Sequence, residues 1–238
     1  MLKDIVIIYQ DADVAVVDKP AGVAVIPAQN SDAAETLAGA LEKKLNQKIW
    51  AVHTIDKDAS GVLIFAKNTD TYKDISAQFE NSKVYRKYIA LLSGVLEESG
   101  GTIRKHVLIS GRDVSINAAG KETVTNFKIL EKFKSYTLVE AVPLTSVRNQ
   151  IRLHFWSLGH PLAVDSEYGI ADPVMLSSFK RRYKFKKNGN EKPLISRLTL
   201  HAEVLSLMLH STGQIKTFES PLPKDFELTL KQLKKYAG

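Results

Sequence analysis

The feature that most constrains this chain is a junction. Val62-Leu63-Ile64-Phe65-Ala66, a near-continuous apolar run rich in β-formers, follows directly on Val52-His53-Thr54-Ile55-Asp56-Lys57-Asp58-Ala59-Ser60-Gly61. The apolar run reads as a buried strand, and the polar stretch as a loop delivered to its entrance. A rigid strand positions the loop it joins, which is why binding and catalytic groups concentrate at such places. His53, Asp56 and Asp58 are the side chains here that can carry chemistry. Taken alone they have an ordinary explanation, since Asp and Ser in loops cap their own backbone and an isolated His is commonly a satisfied polar side chain.

The flanking pattern is one of short strands and helices. Apolar runs at residues 5–9, 14–17 and 23–26, separated by turn signals, predict three adjacent strands, with Asp18-Lys19-Pro20-Ala21-Gly22 as a tight turn. Asp32 and Glu35 fit a capping box, and Leu37, Leu41 and Leu45 predict an amphipathic helix over 32–46. Thr69 or Asp70 caps a second helix carrying Tyr72, Ile75 and Phe79 on one face. Residues 84–92 read as a strand in which Tyr88 shares a face with Val84, Arg86, Ala90 and Leu92. From Thr102 to Val142 the breaks at 110–113 and 119–120 predict an antiparallel meander.

Thr145 or Ser146 then starts a helix that Gly159 and Pro161 end, apolar around most of its circumference. Arg152 projects between Phe155 and Trp156, where a guanidinium stays charged and requires a carboxylate partner. Strands at 198–202, 204–209 and 215–218 and a last helix with Phe226, Leu230 and Leu233 on one face close the chain.

Composition narrows the classes. At 238 residues and 44% hydrophobic content the chain can bury a real core, and disorder is not the default. The formal charge of +7 favours a polyanionic partner. The densest basic run, Lys180-Arg181-Arg182-Tyr183-Lys184-Phe185-Lys186-Lys187, interleaves cations with aromatics, a composition suited to phosphate contact and base stacking. A solvated loop of no specific role explains it about equally well. The absence of cysteine excludes disulfides and thiolate-held metals. No stretch reaches the roughly 20 apolar residues of a membrane span, and the N-terminus has the wrong flanks for a signal peptide, so a cytoplasmic protein is expected.

His53-x-x-Asp56-x-x-x-Ser60-Gly61 ahead of an apolar strand resembles the signature of the RluA-type RNA pseudouridine synthases. Lys87-Tyr88-x-Ala90 resembles that family's second motif, and Gln150-Ile151-Arg152-x-His154 with Gly159-His160-Pro161 its third. The resemblance implies that Asp56 is the catalytic carboxylate, Arg152 its ion-pair partner and Tyr88 the residue that packs against the target base. Three positions depart from the family pattern: Thr54 stands where the family has an RNA-displacing arginine, Ala59 where it has Thr, and Val147 within the third motif. Arg148, counted one helical turn before Arg152, is a candidate to replace the missing arginine. His53, Thr54, Arg148, Lys180, Arg181 and Arg182 are the expected RNA contacts.

The fold implied is α+β, a mixed, mostly antiparallel central sheet flanked by helices and loops, in one pseudouridine synthase-like catalytic domain over 1–238 without a separate N-terminal RNA-binding domain. The function implied is isomerisation of uridine to pseudouridine in tRNA or rRNA, with no metal or organic cofactor and no required protein partner. Two alternatives stand beside it: an RNA-binding relative without turnover, motivated by Thr54, Ala59 and Val147, and a metal-dependent phosphodiesterase using His53, Asp56 and Asp58.

Overall fold

The computed structural model describes residues 5–27, 33–111, 113–185 and 189–238. In chain order its elements are β1 (Val6–Gln10), β2 (Val14–Lys19), α1 (Leu37–Leu45), β3 (Trp50–Ala51), β4 (Ser60–Ala66), α2 (Thr69–Glu80), β5 (Tyr85–Ser93), β6 (Gly100–Ser110), β7 (Asp113–Ile116), β8 (Lys121–Lys132), β9 (Tyr136–Pro143), α3 (Gln150–Ser157), β10 (Leu200–Leu209), β11 (Gln214–Glu219) and α4 (Lys224–Tyr236). They fall into two compact units, one of residues 1–88, 144–148 and 201–221, the other of 89–143, 149–200 and 222–238.

In the first unit the apolar run of the sequence becomes β4, all seven of whose residues are buried. A strand buried on both faces needs covering on both, which explains why its sequence does not alternate. It pairs antiparallel with β2 and β3 and parallel with β10, while β1 lies outside β2 and β11 pairs with β10. Ala15, Val17, Leu63 and Phe65 form one core with Leu37 and Leu41 of α1.

α1 is shorter than predicted. Thr36 caps it, its Oγ1 accepting from Gly39 N–H at 3.2 Å, and a 3₁₀ turn at Ala33–Glu35 precedes it; Asp32 lies outside the described residues. Likewise Asn68, not Thr69 or Asp70, caps α2 by accepting from Thr71 N–H at 2.8 Å, and Tyr72 turns to solvent while Ile75 and Phe79 are buried. The strand predicted at 23–26 does not form. Its carbonyls go elsewhere: Val23 O to Lys19 Nζ, Ala24 O and Val25 O to the first N–H groups of α1.

The second unit holds the meander, in the order β5-β9-β8-β6-β7, antiparallel through β9, β8, β6 and β7 as the turn signals indicated. Ile89, Leu91 and Leu138 pack with Phe226, Leu230 and Leu233 of α4, whose buried face is the one its periodicity predicted. α3 begins at Gln150, later than expected. Asn149 occupies a left-handed conformation, φ 59°, which interrupts helical backbone, and the carbonyl of Thr145 and hydroxyl of Ser146 are engaged by Arg86. Arg148 is therefore not on the helix of Arg152. Among the described residues no helix is long and apolar enough to cross a membrane.

Candidate active site

The polar loop is a tightly tied turn. Ala59 N–H donates to Asp56 O at 3.1 Å, closing the turn over Lys57 and Asp58. Lys57 O accepts twice, from Gly22 N–H at 2.9 Å and from Lys19 Nζ at 2.8 Å. Lys19 is wholly buried, and its ammonium also meets Pro20 O at 2.9 Å and Val23 O at 2.8 Å. Gly22 supplies the φ of +82° that lets its N–H face this carbonyl. Ala59 and Ser60 are buried, whereas the Asp56 side chain is half-exposed and Thr54, Lys57 and Asp58 are exposed. A half-exposed carboxylate on a braced backbone can meet a ligand without first ordering its own loop.

Tyr88, His53 and Arg86 belong to the same unit as this turn. Tyr88 is buried on β5; burial pushes its phenol pKa up, Arg86 opposes this, and the Asp56 carboxylate raises it again, so the two residues feel each other. Tyr88 thus stays a neutral phenol. His53 stacks on Phe79 with ring centroids 4.5 Å apart, and its Nε2 accepts from Ile64 N–H at a long 3.4 Å. Burial, aided by the Arg86 charge, holds His53 at a pKa of about 3, so it is a neutral ring.

Arg86 itself was legible only as a residue sharing the face of Tyr88. It is buried, packs over Phe79 at 5.5 Å, and donates to Ser146 Oγ at 3.1 Å and Thr145 O at 3.0 Å. Burial lowers its pKa from the ordinary arginine range, and Tyr88 counteracts this. The segment 144–148 is fastened to the first unit by these bonds, with Arg148 exposed at its end.

In the second unit Arg152 is buried and held by two carboxylates. Nε and Nη2 donate to Asp165 at 2.8 and 2.6 Å, and Nη2 lies 3.0 Å from Glu167 Oε2. Nη1 donates to Asn149 Oδ1 at 3.3 Å, and the guanidinium lies 4.9 Å from the Tyr168 ring centroid. Burial by itself raises the Asp165 pKa, but hydrogen bonds from Arg152 and from the Glu167 and Tyr168 amides outweigh it, and the net shift is downward. Asp165 carried no signal of its own in the sequence. Lys180 sits half-buried with Nζ 4.7 Å from the Tyr236 ring; Arg181 and Arg182 are exposed, and Tyr183 meets Phe185 edge-on at 5.0 Å. The rest of the basic run, 186–188, lies outside the described residues.

Among the described residues no three His, Asp or Glu side chains are placed to hold a metal ion together, so His53, Asp56 and Asp58 do not form the ligand set that a metal-dependent phosphodiesterase requires. Tyr88 is instead a buried neutral phenol that feels the charge of the Asp56 carboxylate carried by the braced turn.

The fold is shared with solved structures. Human RNA Pseudouridylate Synthase Domain Containing 1 superposes with a TM-score of 0.72 at 24% identity, over 94% of this chain and 85% of the other. Human RNA Pseudouridylate Synthase Domain Containing 4 gives 0.72 at 23% identity, over 96% and 93%. The fold is thus that of the pseudouridylate synthases. Residues 13–157 match the RNA pseudouridylate synthase family, and the chain belongs to that family, in its RluA-type branch. It is 34% identical over 245 residues to an "Uncharacterized RNA pseudouridine synthase YlyB" of Bacillus subtilis, covering 98% of this chain and 74% of that protein. The same identity holds over 247 residues with an "Uncharacterized RNA pseudouridine synthase" of Chlorobaculum parvum, covering 97% and 74%. It holds again over 238 residues with "Ribosomal large subunit pseudouridine synthase D" of Nitrosomonas europaea, covering 96% and 65%.

Proposed function

We propose that this chain isomerises uridine to pseudouridine in ribosomal RNA of the cytoplasm, with Asp56 as the reacting carboxylate. The observation that carries the reading is the turn at 56–59: it presents the half-exposed Asp56 carboxylate from a backbone fixed at Asp56 O, Lys57 O and Ser60, and the buried phenol of Tyr88 feels its charge. The bond between N1 and C1′ breaks, the base turns, C5 bonds to C1′, and the C5 proton leaves to solvent while N1 gains one, so reactant and product are isomers. Asp56 acts as nucleophile or base at the sugar, which needs an ionised, aimed carboxylate. Tyr88 packs against the base. Arg152 keeps the role that the resemblance gives it, countercharge to the reacting carboxylate, and Asp165 holds it in orientation.

The target nucleotide must leave its stack to be reached. Thr54 is exposed but lacks the cation that relatives use, and Arg148, exposed in the same unit, is assigned to replace it. His53 serves as a neutral wall of this site. Arg181, Arg182 and Lys180 contact phosphate. Ribosomal RNA is preferred over transfer RNA because relatives bear large-subunit synthase names.

The test is tritium release from RNA labelled at C5 of uridine, with ribosomal and transfer fractions assayed separately and Asp56→Asn as the comparison. Release from the ribosomal fraction that disappears in Asp56→Asn is the expected result. Release from transfer RNA alone would reassign the substrate, and salt-sensitive binding without any release would favour a relative that binds RNA without turnover.

A further inference from the structure

β4 and β10 run side by side in parallel, with His201 opposite Ser60 and Ala202 opposite Gly61. They approach so closely that a Cβ on Gly61, which has φ +121°, would overlap the Ala202 carbonyl. At this contact sits a histidine with no solvent exposure, in register with the residue where the turn of Asp56 enters the sheet.

The tautomer of the neutral His201 ring follows from its partners. Nε2 lies 3.0 Å from the carbonyl oxygen of Ser220, which can only accept, so Nε2 carries the proton. In the neutral ring Nδ1 then offers a lone pair, and the Ser60 hydroxyl at 3.0 Å donates to it. Ser60 and Ser220 are also buried, at 2% and 1% exposure, so water does not compete for these bonds. Ser220 Oγ donates to Asp18 Oδ1 at 2.8 Å, and the neighbouring Lys19 holds Lys57 O. The result is a closed circuit, running from Asp18 through Ser220, His201 and Ser60 into the turn, and back through Lys57 to Lys19. It grips the residues on the C-terminal side of Asp56 from two directions.

We propose that His201 is a positioning residue for the reaction: through the hydroxyl of Ser60 it fixes the end of the turn that aims the Asp56 carboxylate. The inference rests on the reading of Asp56 given above. It does not place His201 in contact with RNA, so its loss should reduce the rate of the bound complex and leave RNA affinity intact. Displacing a reacting group by about 1 Å is enough to cost on the order of 10²-fold.

Single-turnover release of tritium from C5-labelled ribosomal RNA, at saturating protein, is compared for the native chain, His201→Gln, His201→Asn, Ser60→Ala and Asp56→Asn. Gln keeps a donor near Ser220 O but loses the acceptor facing Ser60; Asn keeps an acceptor at the Nδ1 position. Expected are at least tenfold slower release in His201→Gln and Ser60→Ala, RNA affinity within twofold of native, and His201→Asn within about threefold of the native rate. A native rate in folded Ser60→Ala, or His201→Asn as slow as His201→Gln, overturns the proposal. Should His201→Gln fail to fold, Ser60→Ala decides, because it removes a single oxygen. A native rate in Asp56→Asn removes the reading of Asp56 and this inference with it; a dead Asp56→Asn beside native rates in the other variants overturns this inference alone.

Discussion

The ammonium of Lys19 lies 2.8 Å from the carbonyl oxygen of Lys57, the residue after Asp56, at a place where Lys19 has no solvent exposure at all. Pro20 O and Val23 O accept from the same ammonium at 2.9 and 2.8 Å. A buried charge of this kind is tolerable because the carbonyl dipoles replace its water. Lys19→Met keeps the chain length and removes all three donors. Lys57 O keeps its bond from Gly22 N–H while Pro20 O and Val23 O, both of residues at least partly exposed, lose this donor, so a loss of about 1–3 kcal/mol is expected. Urea unfolding measures it, and an unchanged midpoint would show that the carbonyls are readily rehydrated.

Parts of this arrangement were legible in the residues and parts were not. β4 announced itself because seven buried residues in a row are apolar or small, and α4 because Phe226, Leu230 and Leu233 repeat at helical spacing. Local pattern failed at 23–26 and at 145–149, where backbone groups are satisfied by Lys19, by the start of α1 and by Arg86, partners distant in sequence. For the same reason Arg86, His201 and Asp165 did not stand out: each is defined by what it meets in three dimensions. Asp56 was separable from Asp58 only through the spacing shared with a family, since both are aspartates of one loop.

Acid should unfold the protein partly through two histidines. His53 is held at a pKa of about 3 and His154 at about 4, the first by burial and Arg86, the second by burial and Lys105. Both lie below the unfolded value of about 6.5, so the unfolded chain binds protons first. Stability is complete above that value and declines as pH falls toward 4. The stronger case is His154, fully buried, whose Nε2 lies 2.8 Å from Thr123 Oγ1 while Nδ1 has no hydrogen-bond partner among the described residues. Thr123 Oγ1 donates to Lys105 O, so it accepts from Nε2–H, and a protonated Nδ1 would find no acceptor. His154→Gln should flatten the stability slope between pH 6.5 and 4 by up to about 1.4 kcal/mol per pH unit. Equal slopes in both proteins would mean that His154 is charged when folded.

The pair of Arg152 and Asp165 separates stability from catalysis. Asp165 receives both Nε and Nη2 of Arg152 together with the Glu167 and Tyr168 amides. Asp165→Asn takes from the buried guanidinium the charged carboxylate that receives its Nε and Nη2, and should destabilise the fold by about 3–5 kcal/mol. Replacing both, as Arg152→Met with Asp165→Leu, should recover much of that stability, because no buried charge is then stranded. The double variant should still release no tritium. Recovered release would show that Arg152 acts in folding and not in the reaction.

The basic residues should act on affinity. Arg181 and Arg182 are exposed, while Lys180 is partly committed to the Tyr236 ring that Lys235 also faces, at 4.7 and 5.2 Å. Each phosphate that a cationic side chain neutralises contributes roughly 0.7–0.9 to the slope of log affinity against log salt, through the counterions it releases. Arg181→Ala with Arg182→Ala should therefore reduce that slope by about 1.5, and Lys180→Ala by less, because its ammonium already has an aromatic neighbour. Arg148→Ala should differ in kind, slowing release from bound RNA if Arg148 helps to displace the target base. Filter binding across a salt series, paired with single-turnover release, distinguishes the two; a slope unmoved by removal of Arg181 and Arg182 would place the phosphate-binding cations elsewhere on the chain.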